Sequence, residues 1–265
     1  MVEIRAWNYC GFGNPQAVRD LRDMLRREDP HAVFISETKL HENKLDRIKR
    51  KCGMRSCFGV SAEGRSGGLM MMWREDIPPK LMSFSKNQFD KEIEWEAEGA
   101  QGRITGFYGE SNANNRHVSW ELLRTLSLQS NKAWMRFGNF NELTWDNKKS
   151  EKRLRPKHQM KAFKESVEDS GLTDMGFIGR WYSLKRGRIT ATLIRERLDR
   201  ALATEKWYTC FPMGMVKHLT AVVYYHCPLL IDTEGYKGKR RIRRQRRRLF
   251  FEAMWTKDNE SDDVV

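Results

Sequence analysis

Ala133-Trp-Met-Arg-Phe137 runs directly into Gly138-Asn-Phe-Asn-Glu142, a short apolar run suited to a strand and closed by polar residues. Chemistry in sheet-based folds concentrates where strands pass into loops, so junctions of this kind mark a candidate site. Trp7-Asn8 ends a first strand, Ser36-Glu37-Thr38 a second, and Gly106-Phe-Tyr108-Gly109 closes a series of β-type runs. Tyr224-Tyr225-His226-Cys227-Pro228 precedes a last strand at Leu229 to Ile231, and Arg197-Leu-Asp199-Arg200 lies between it and the Gly138 junction. Each segment alone has an ordinary reading. A strand-end Asn or Glu forms turns or loop ion pairs, Tyr108 packs as a core aromatic, His226 is a satisfied structural histidine, and Asp199 pairs with Arg197 or Arg200. The order of the set is what points to a site.

Working outward, Val2 to Trp7 alternates apolar and polar residues as a half-buried strand does. Asn14-Pro15 starts a helix, Ala17, Val18, Leu21, Met24 and Leu25 recur at helical spacing, and Asp29-Pro30 closes it. Ala32 to Ser36 suits a buried strand, and Leu45 with Ile48 hints at a second helix. From Ser56 to Tyr108 the helical period disappears. Runs at Cys57–Val60, Gly68–Trp73, Leu81–Phe84, Glu92–Trp95 and Arg103–Tyr108, punctuated by Gly67-Gly68, Pro78-Pro79 and Gly99, read as an antiparallel meander. Helices follow at His117 to Leu128, with Trp120, Leu123 and Ser127 on one face, and around Met160, Phe163 and Val167. No internal repeat is visible. The pattern predicts an α/β (α+β) sandwich of mixed sheets flanked by helices.

The 265 residues, 39% hydrophobic and 32% charged, suffice for one sizeable core and a tail. No apolar run approaches the roughly 18–20 residues of a membrane helix, and Gly68 to Trp73 stops at Arg74. The N-terminus has no secretory pattern, and the five cysteines lack zinc spacing, so a nuclear or cytoplasmic protein with reduced thiols is expected. Neither a P-loop nor a Rossmann glycine fingerprint occurs. Of the net charge of +14, nine positive charges lie between Lys237 and Arg248 with no acidic residue among them. The expected organisation is a globular domain over 1–232 and a basic tail over 233–265, with an amphipathic piece at Leu249 to Trp255 and an acidic end at Asp258 to Asp263. Lys239, Arg240, Arg241, Arg243, Arg244, Arg246, Arg247 and Arg248 are candidate nucleic-acid contacts, with a nuclear-localisation signal or linker the competing reading. Lys148 to Lys157 is a second candidate phosphate-contacting loop, or an ordinary solvated one.

The ordered segments resemble the endonuclease/exonuclease/phosphatase (DNase I-like) superfamily. They are most similar to the endonuclease domain of plant LINE-type non-LTR retrotransposon polyproteins. Trp7-Asn8 with Gly11-Phe-Gly-Asn-Pro-Gln-Ala-Val18, Phe34-Ile-Ser-Glu37-Thr-Lys39 and Gly67-Gly-Leu carry the resemblance in the first part of the chain. Thr105-Gly-Phe-Tyr108-Gly109, Gly138-x-Phe-Asn-Glu142, Glu196-Arg-Leu-Asp-Arg-Ala-Leu202 and Phe251-Glu-Ala-Met-Trp255 carry it in the rest. The resemblance implies a four-layer α/β sandwich and a Mg²⁺- (or Mn²⁺-) dependent hydrolase acting on DNA, with RNA the alternative and no membrane or oligomer indicated. It assigns Glu37 as metal ligand with Asn8 beside it, Tyr108 and Asn141 as phosphate-binding, and His226 as a phosphate partner oriented by Asp199.

Two carboxylates of the family pattern are missing. Where the family has Gly-Asp-Phe-Asn this chain has Asn139, and where it has Ser-Asp-His this chain has Tyr225. Tyr9-Cys10 and Leu184 are lesser departures. An amide cannot take a proton from water at neutral pH, and a phenol of pKa about 10 is a poor substitute for a carboxylate. Each positioned acid–base group is worth roughly 3–5 kcal/mol of transition-state stabilisation, so an impaired nuclease is expected. A non-catalytic nucleic-acid-binding remnant or co-opted module is the alternative. A phosphatase of inositol lipids or a sphingomyelinase-like enzyme shares the fold but fits the flanking segments less well.

Overall fold

The computed structural model describes residues 3–9, 11–64, 66–74, 80–94, 101–144, 156–187, 193–219 and 226–235. Its first unit is strand β1 (Glu3–Asn8), helix α1 (Pro15–Glu28) and strand β2 (Ala32–Ser36). The Asn14 side chain accepts from the Gln16 N–H, Pro15 sits in the first turn, and Asp29 ends the helix in the left-handed conformation. Ala17, Val18, Leu21, Met24 and Leu25 form its buried face, as their spacing predicts. The helix returns the chain so that β2 pairs parallel with β1.

Two six-stranded mixed sheets result. In the first, β13 (Met215–His218), β14 (Leu229–Asp232), β1, β2, β4 (Ser66–Trp73) and β3 (Ser56–Glu63) lie side by side. In the second the order is β5 (Lys80–Ser85), β6 (Gln88–Glu94), β7 (Gln101–Tyr108), β8 (Ala133–Asn139), β12 (Asp199–Thr204) and β9 (Leu172–Asp174). A hairpin of β10 (Leu184–Arg186) and β11 (Ile194–Glu196) stands apart. Each sheet has one parallel pair at its centre, β1–β2 or β7–β8, and antiparallel pairs elsewhere. Helices α1 and α3 (Arg116–Ser127) make the two parallel crossovers, and α2 (Leu45–Cys52) and α4 (Lys157–Asp169) follow β2 and β8. The sheets therefore repeat one another strand for strand, an architectural repeat without a matching repeat in sequence. Helix α5 (Glu205–Cys210) follows β12.

Three apolar layers fill the sandwich. Phe34, Leu69, Met71, Phe89, Ile104, Met135 and Phe137 meet between the sheets. Val33, Ile35 and Met70 pack under α1 and α2, and Phe107, Trp134 and Leu202 under α3 and α4. Between the sheets, Phe34 meets Phe89 and Phe137 edge-on at 6.2 and 5.9 Å. A Cβ on Gly106 would stand 2.5 Å from the Phe34 ring, and one on Gly138 would lie 2.2 Å from the Phe107 carbonyl oxygen.

The structure corrects several expectations. Strand β1 is buried on both faces, because one faces the other sheet and the other lies under helix α1; Arg5 meets this with Glu28 at 3.1 Å. The expected single meander is divided: β3 and β4 complete the first sheet, whereas β5, β6 and β7 form the second. On α3 the buried apolar residues are Leu123 and Leu126; Ser127 caps inward onto the Arg124 carbonyl, and Leu128 is exposed. Strand β14 ends at Asp232, and of the expected tail only residues 233–235 are described. The basic run, the amphipathic and acidic pieces after it, Pro78-Pro79, Gly99, and residues 148–155 lie outside the described residues. The four described cysteines carry free thiols, and no described helix is long and apolar enough to cross a membrane.

Two consequences are measurable by urea unfolding. Gly106→Ala forces a methyl into the Phe34 ring and should cost about 1–3 kcal/mol, with partial recovery when Phe34 is shortened to Leu. Arg136 is fully buried between the Phe107 and Trp134 rings at 4.4 and 5.0 Å, with no hydrogen-bond partner for any guanidinium nitrogen. Burial pulls its pKa well below the ordinary value, and Arg136→Met should raise stability by about 1–4 kcal/mol.

Candidate active site

The strand ends that the sequence singles out converge at one end of the sandwich. In the second sheet Tyr108 pairs with Asn139, and Asn139 with Asp199, so three neighbouring strands end on these residues. Residues paired across strands project to the same face, here the inter-sheet face. All three are buried. In the first sheet Asn8 pairs with Ser36, immediately before Glu37.

Side chains close the circuit between the sheets. The Tyr108 hydroxyl donates to Glu37 Oε1 in a short hydrogen bond. His226 Nδ1 meets Asp199 Oδ2 at 2.7 Å, and its Nε2 lies 3.5 Å from Asn8 Nδ2. The Asn141 N–H donates to Asn139 Oδ1 at 2.8 Å, while Asn141 Nδ2 donates to the Gly109 carbonyl at 2.7 Å. Seven of the eight residues expected at the catalytic and metal positions are thus brought together: Asn8, Glu37, Tyr108, Asn139, Asn141, Asp199 and His226. Tyr225 and the eight basic tail residues lie outside the described residues.

Burial lowers the proton affinity of His226, but the charge and hydrogen bond of Asp199, with Glu37 and Glu196 farther off, outweigh it and raise its pKa. Burial and the adjacent Glu37 carboxylate push the Tyr108 phenol above its ordinary value, so it remains a hydrogen-bond donor at neutral pH. Glu37, Lys39 and Asn141 have φ of 61°, 55° and 53°. Non-glycine residues held left-handed carry a cost of roughly 1–2 kcal/mol, and such strain clusters at functional sites.

Several supporting contacts go beyond the roles expected from the sequence, although Trp7 and Lys39 stand in the quoted motifs. Lys39 Nζ lies 3.8 Å from Glu37 Oε2. Asn87 Nδ2 holds the Tyr108 carbonyl at 2.9 Å, and Trp7 Nε1 donates to the His226 carbonyl at 3.1 Å. Ser183 Oγ accepts from the Leu198 and Asp199 N–H groups, each at 2.9 Å. Glu142, quoted in the sequence motif, is buried and bound by Arg116 at 3.3 Å, so it braces the loop after β8.

Among the described residues no group of three His, Cys, Asp or Glu side chains could hold a metal ion. The donor set at the strand ends is one carboxylate, Glu37, and the Asn8 amide oxygen, which is buried without a partner. That pair fits a Mg²⁺-sized ion only if waters and a substrate phosphate complete the shell.

The sandwich thus carries a polar, strained site where the strand ends of its two sheets meet. The Endonuclease/Exonuclease/phosphatase family is matched over residues 6–213, and the chain belongs to that family. An AP endonuclease, LMAP, from Leishmania major has the same fold, at 14% identity and a TM-score of 0.67 over 87% of this chain and 86% of that one. The endonuclease domain of TRAS1, a telomere-specific non-LTR retrotransposon, is similar at 13% identity and a TM-score of 0.64, covering 88% and 98%. D. rerio TDP2 complexed with single strand DNA product matches at 15% identity and a TM-score of 0.56, covering 87% and 97%. No curated protein sequence matches the chain. The DNase I-like sandwich expected from the motifs is the observed fold.

Asp199→Asn tests the electrostatics. A histidine whose pKa is raised by folding contributes stability below about pH 6.5, and that contribution fades as pH rises through the folded value. The His226 ring should titrate above the ordinary range in the native chain and below it in Asp199→Asn, followed by NMR of the ring protons. The stability lost in the variant should be larger near pH 6 than near pH 8.5, by about 1.4 kcal/mol for each pH unit by which the midpoint falls.

Proposed function

We propose that this chain is a retroelement-derived endonuclease domain that holds the phosphodiester backbone of DNA at the convergent strand ends and whose hydrolytic step is impaired. The observation that carries the reading is Asn139. Its Oδ1 is committed to the Asn141 N–H, and its Nδ2 is buried without a partner. An aspartate at this position would present a second acceptor oxygen toward the site, able to orient an attacking water and take its proton. The amide presents a donor instead. It can hydrogen-bond a phosphoryl oxygen but cannot act as a base.

The remaining groups suit phosphate binding. The Tyr108 hydroxyl stays protonated, and its one proton, given to Glu37 in this structure, would turn to a phosphate oxygen when a cation takes up the Glu37 carboxylate; His226, favoured toward imidazolium by Asp199, would offset charge on a non-bridging oxygen. Asn141 is fixed in place by Gly109 and Asn139. Glu37 and Asn8 are assigned to a weakly held Mg²⁺ (or Mn²⁺), which when bound would supply Lewis-acid neutralisation of the phosphoryl oxygens. The retroelement origin is supported by the motif order and by the likeness to the TRAS1 domain. The basic segment within 233–265 is proposed to add contacts to phosphates without sequence preference.

Nicking of supercoiled plasmid in Mg²⁺ or Mn²⁺ tests this, with Glu37→Ala as the blank. The native chain should nick at the blank level, and Asn139→Asp with Tyr225→Asp should raise the rate by roughly 10²-fold or more. Native nicking above the blank would refute the impairment. A double reversion that stays at the blank would refute the assignment of the loss to these two positions.

A further inference from the structure

A second charged feature lies at the far end of the first sheet. There the chain leaving α1, the end of α2 and the residue after β4 enclose a cleft of about 650 Å³. Among the described residues its wall carries Arg26, Arg50, Lys51, Arg55 and Arg74 against one carboxylate, Asp29. Ala32, the first residue of β2, pairs with Trp73 beside this cleft, whereas Glu37 follows the other end of β2. The two sites are thus separated by the length of a strand, about 15 Å.

Cations in the last turn of a helix offset its carbonyl end, which accounts for Arg26, Arg50 and Lys51 taken singly. It does not account for Arg55 and Arg74, which belong to neither helix yet line the same cleft. Asp29 is engaged by Arg74 at 2.9 Å, Arg50 donates to the Asp46 carbonyl at 3.4 Å with the Asp46 carboxylate nearby, and among the described residues no ion pair is seen for Arg26 or Lys51. The floor is firm, since Leu25, Cys52 and Met54 belong to the apolar layer beneath α1 and α2. Among the described residues, none of the large exposed apolar side chains lines the cleft, which argues against the inserting residues of a membrane-binding surface.

We propose that this cleft is a second nucleic-acid site, holding successive phosphates of a DNA backbone apart from the strand-end site. Its concavity and its cations, drawn from separate chain segments, suit a backbone passing through rather than a single anion. The proposal is independent of whether the strand-end site hydrolyses anything.

The test is fluorescence anisotropy of the full chain with a labelled duplex of about 30 base pairs, titrated over a range of salt. Arg26→Glu/Lys51→Glu is compared with Lys80→Glu/Lys161→Glu, an equal charge change on exposed residues outside the cleft. The cleft pair should bind at least about tenfold more weakly near 0.15 M salt, and its log–log salt slope should fall by about 2. The control pair should stay within about twofold. Equal losses in the two pairs would overturn the proposal. So would a cleft pair that keeps duplex binding but loses binding to anionic phospholipid vesicles. Should charge reversal unfold the chain, as a melting curve would reveal, Arg26→Gln/Lys51→Gln decides by the same comparison. Failure of the nicking experiment leaves this result untouched, because the cleft variants alter no strand-end residue.

Discussion

The site depends on how closely two sheets approach one another. Phe34 of the first sheet lies against Gly106 and Gly138 of the second, where any side chain would strike an aromatic ring or a backbone carbonyl. Sheets packed face to face ordinarily stand about 10 Å apart, filled by side chains from both. Here one sheet supplies the ring and the other supplies its absence. Beyond that contact lie Tyr108 and Asn139, at the ends of their strands, and Glu37, the residue after β2. The Glu37–Tyr108 hydrogen bond spans the two sheets because Phe34 fixes their separation just below it.

Above this contact the polar groups divide by chemistry. Donors and their orienting partners are in place: Tyr108 on Glu37, His226 on Asp199, Asn141 on Gly109 and Asn139. Acceptors able to take a proton are scarce, since Glu37 is occupied by Tyr108 and the β8 position is an amide. Binding a phosphate needs the first kind of group, and activating water needs the second. Because different atoms serve the two tasks, the proposed reading, phosphate binding with an impaired hydrolytic step, is chemically consistent.

Much of this was legible in the sequence. Helix α1 announced itself through Asn14-Pro15 and its apolar spacing, and the strand-ending polar residues were visible as a series. What stayed hidden has physical causes. The alternation of Glu3 and Arg5 implied a solvent-facing side, yet an ion pair with Glu28 lets that side lie under a helix. Local β-patterning between Ser56 and Tyr108 could not reveal that the run serves two sheets, since pairing partners are set by contacts distant in sequence. Gly106 and Gly138 were readable as motif letters, but the ring they accommodate belongs to residue 34. The bracing by Asn87, Ser183 and Trp7 was equally unreadable, because each acts through a backbone group of a remote segment.

The strand-for-strand repeat of the two sheets gives the site a composite ownership. Asn8 and Glu37 belong to one half-fold, and Tyr108, Asn139 and Asp199 to the other. On the proposed reading, an anion seated among them would be held jointly, so that its binding free energy would add to the cohesion of the halves. A ligand bridging the strand ends would act as a reversible cross-link over a seam otherwise held by apolar packing beneath a few hydrogen bonds.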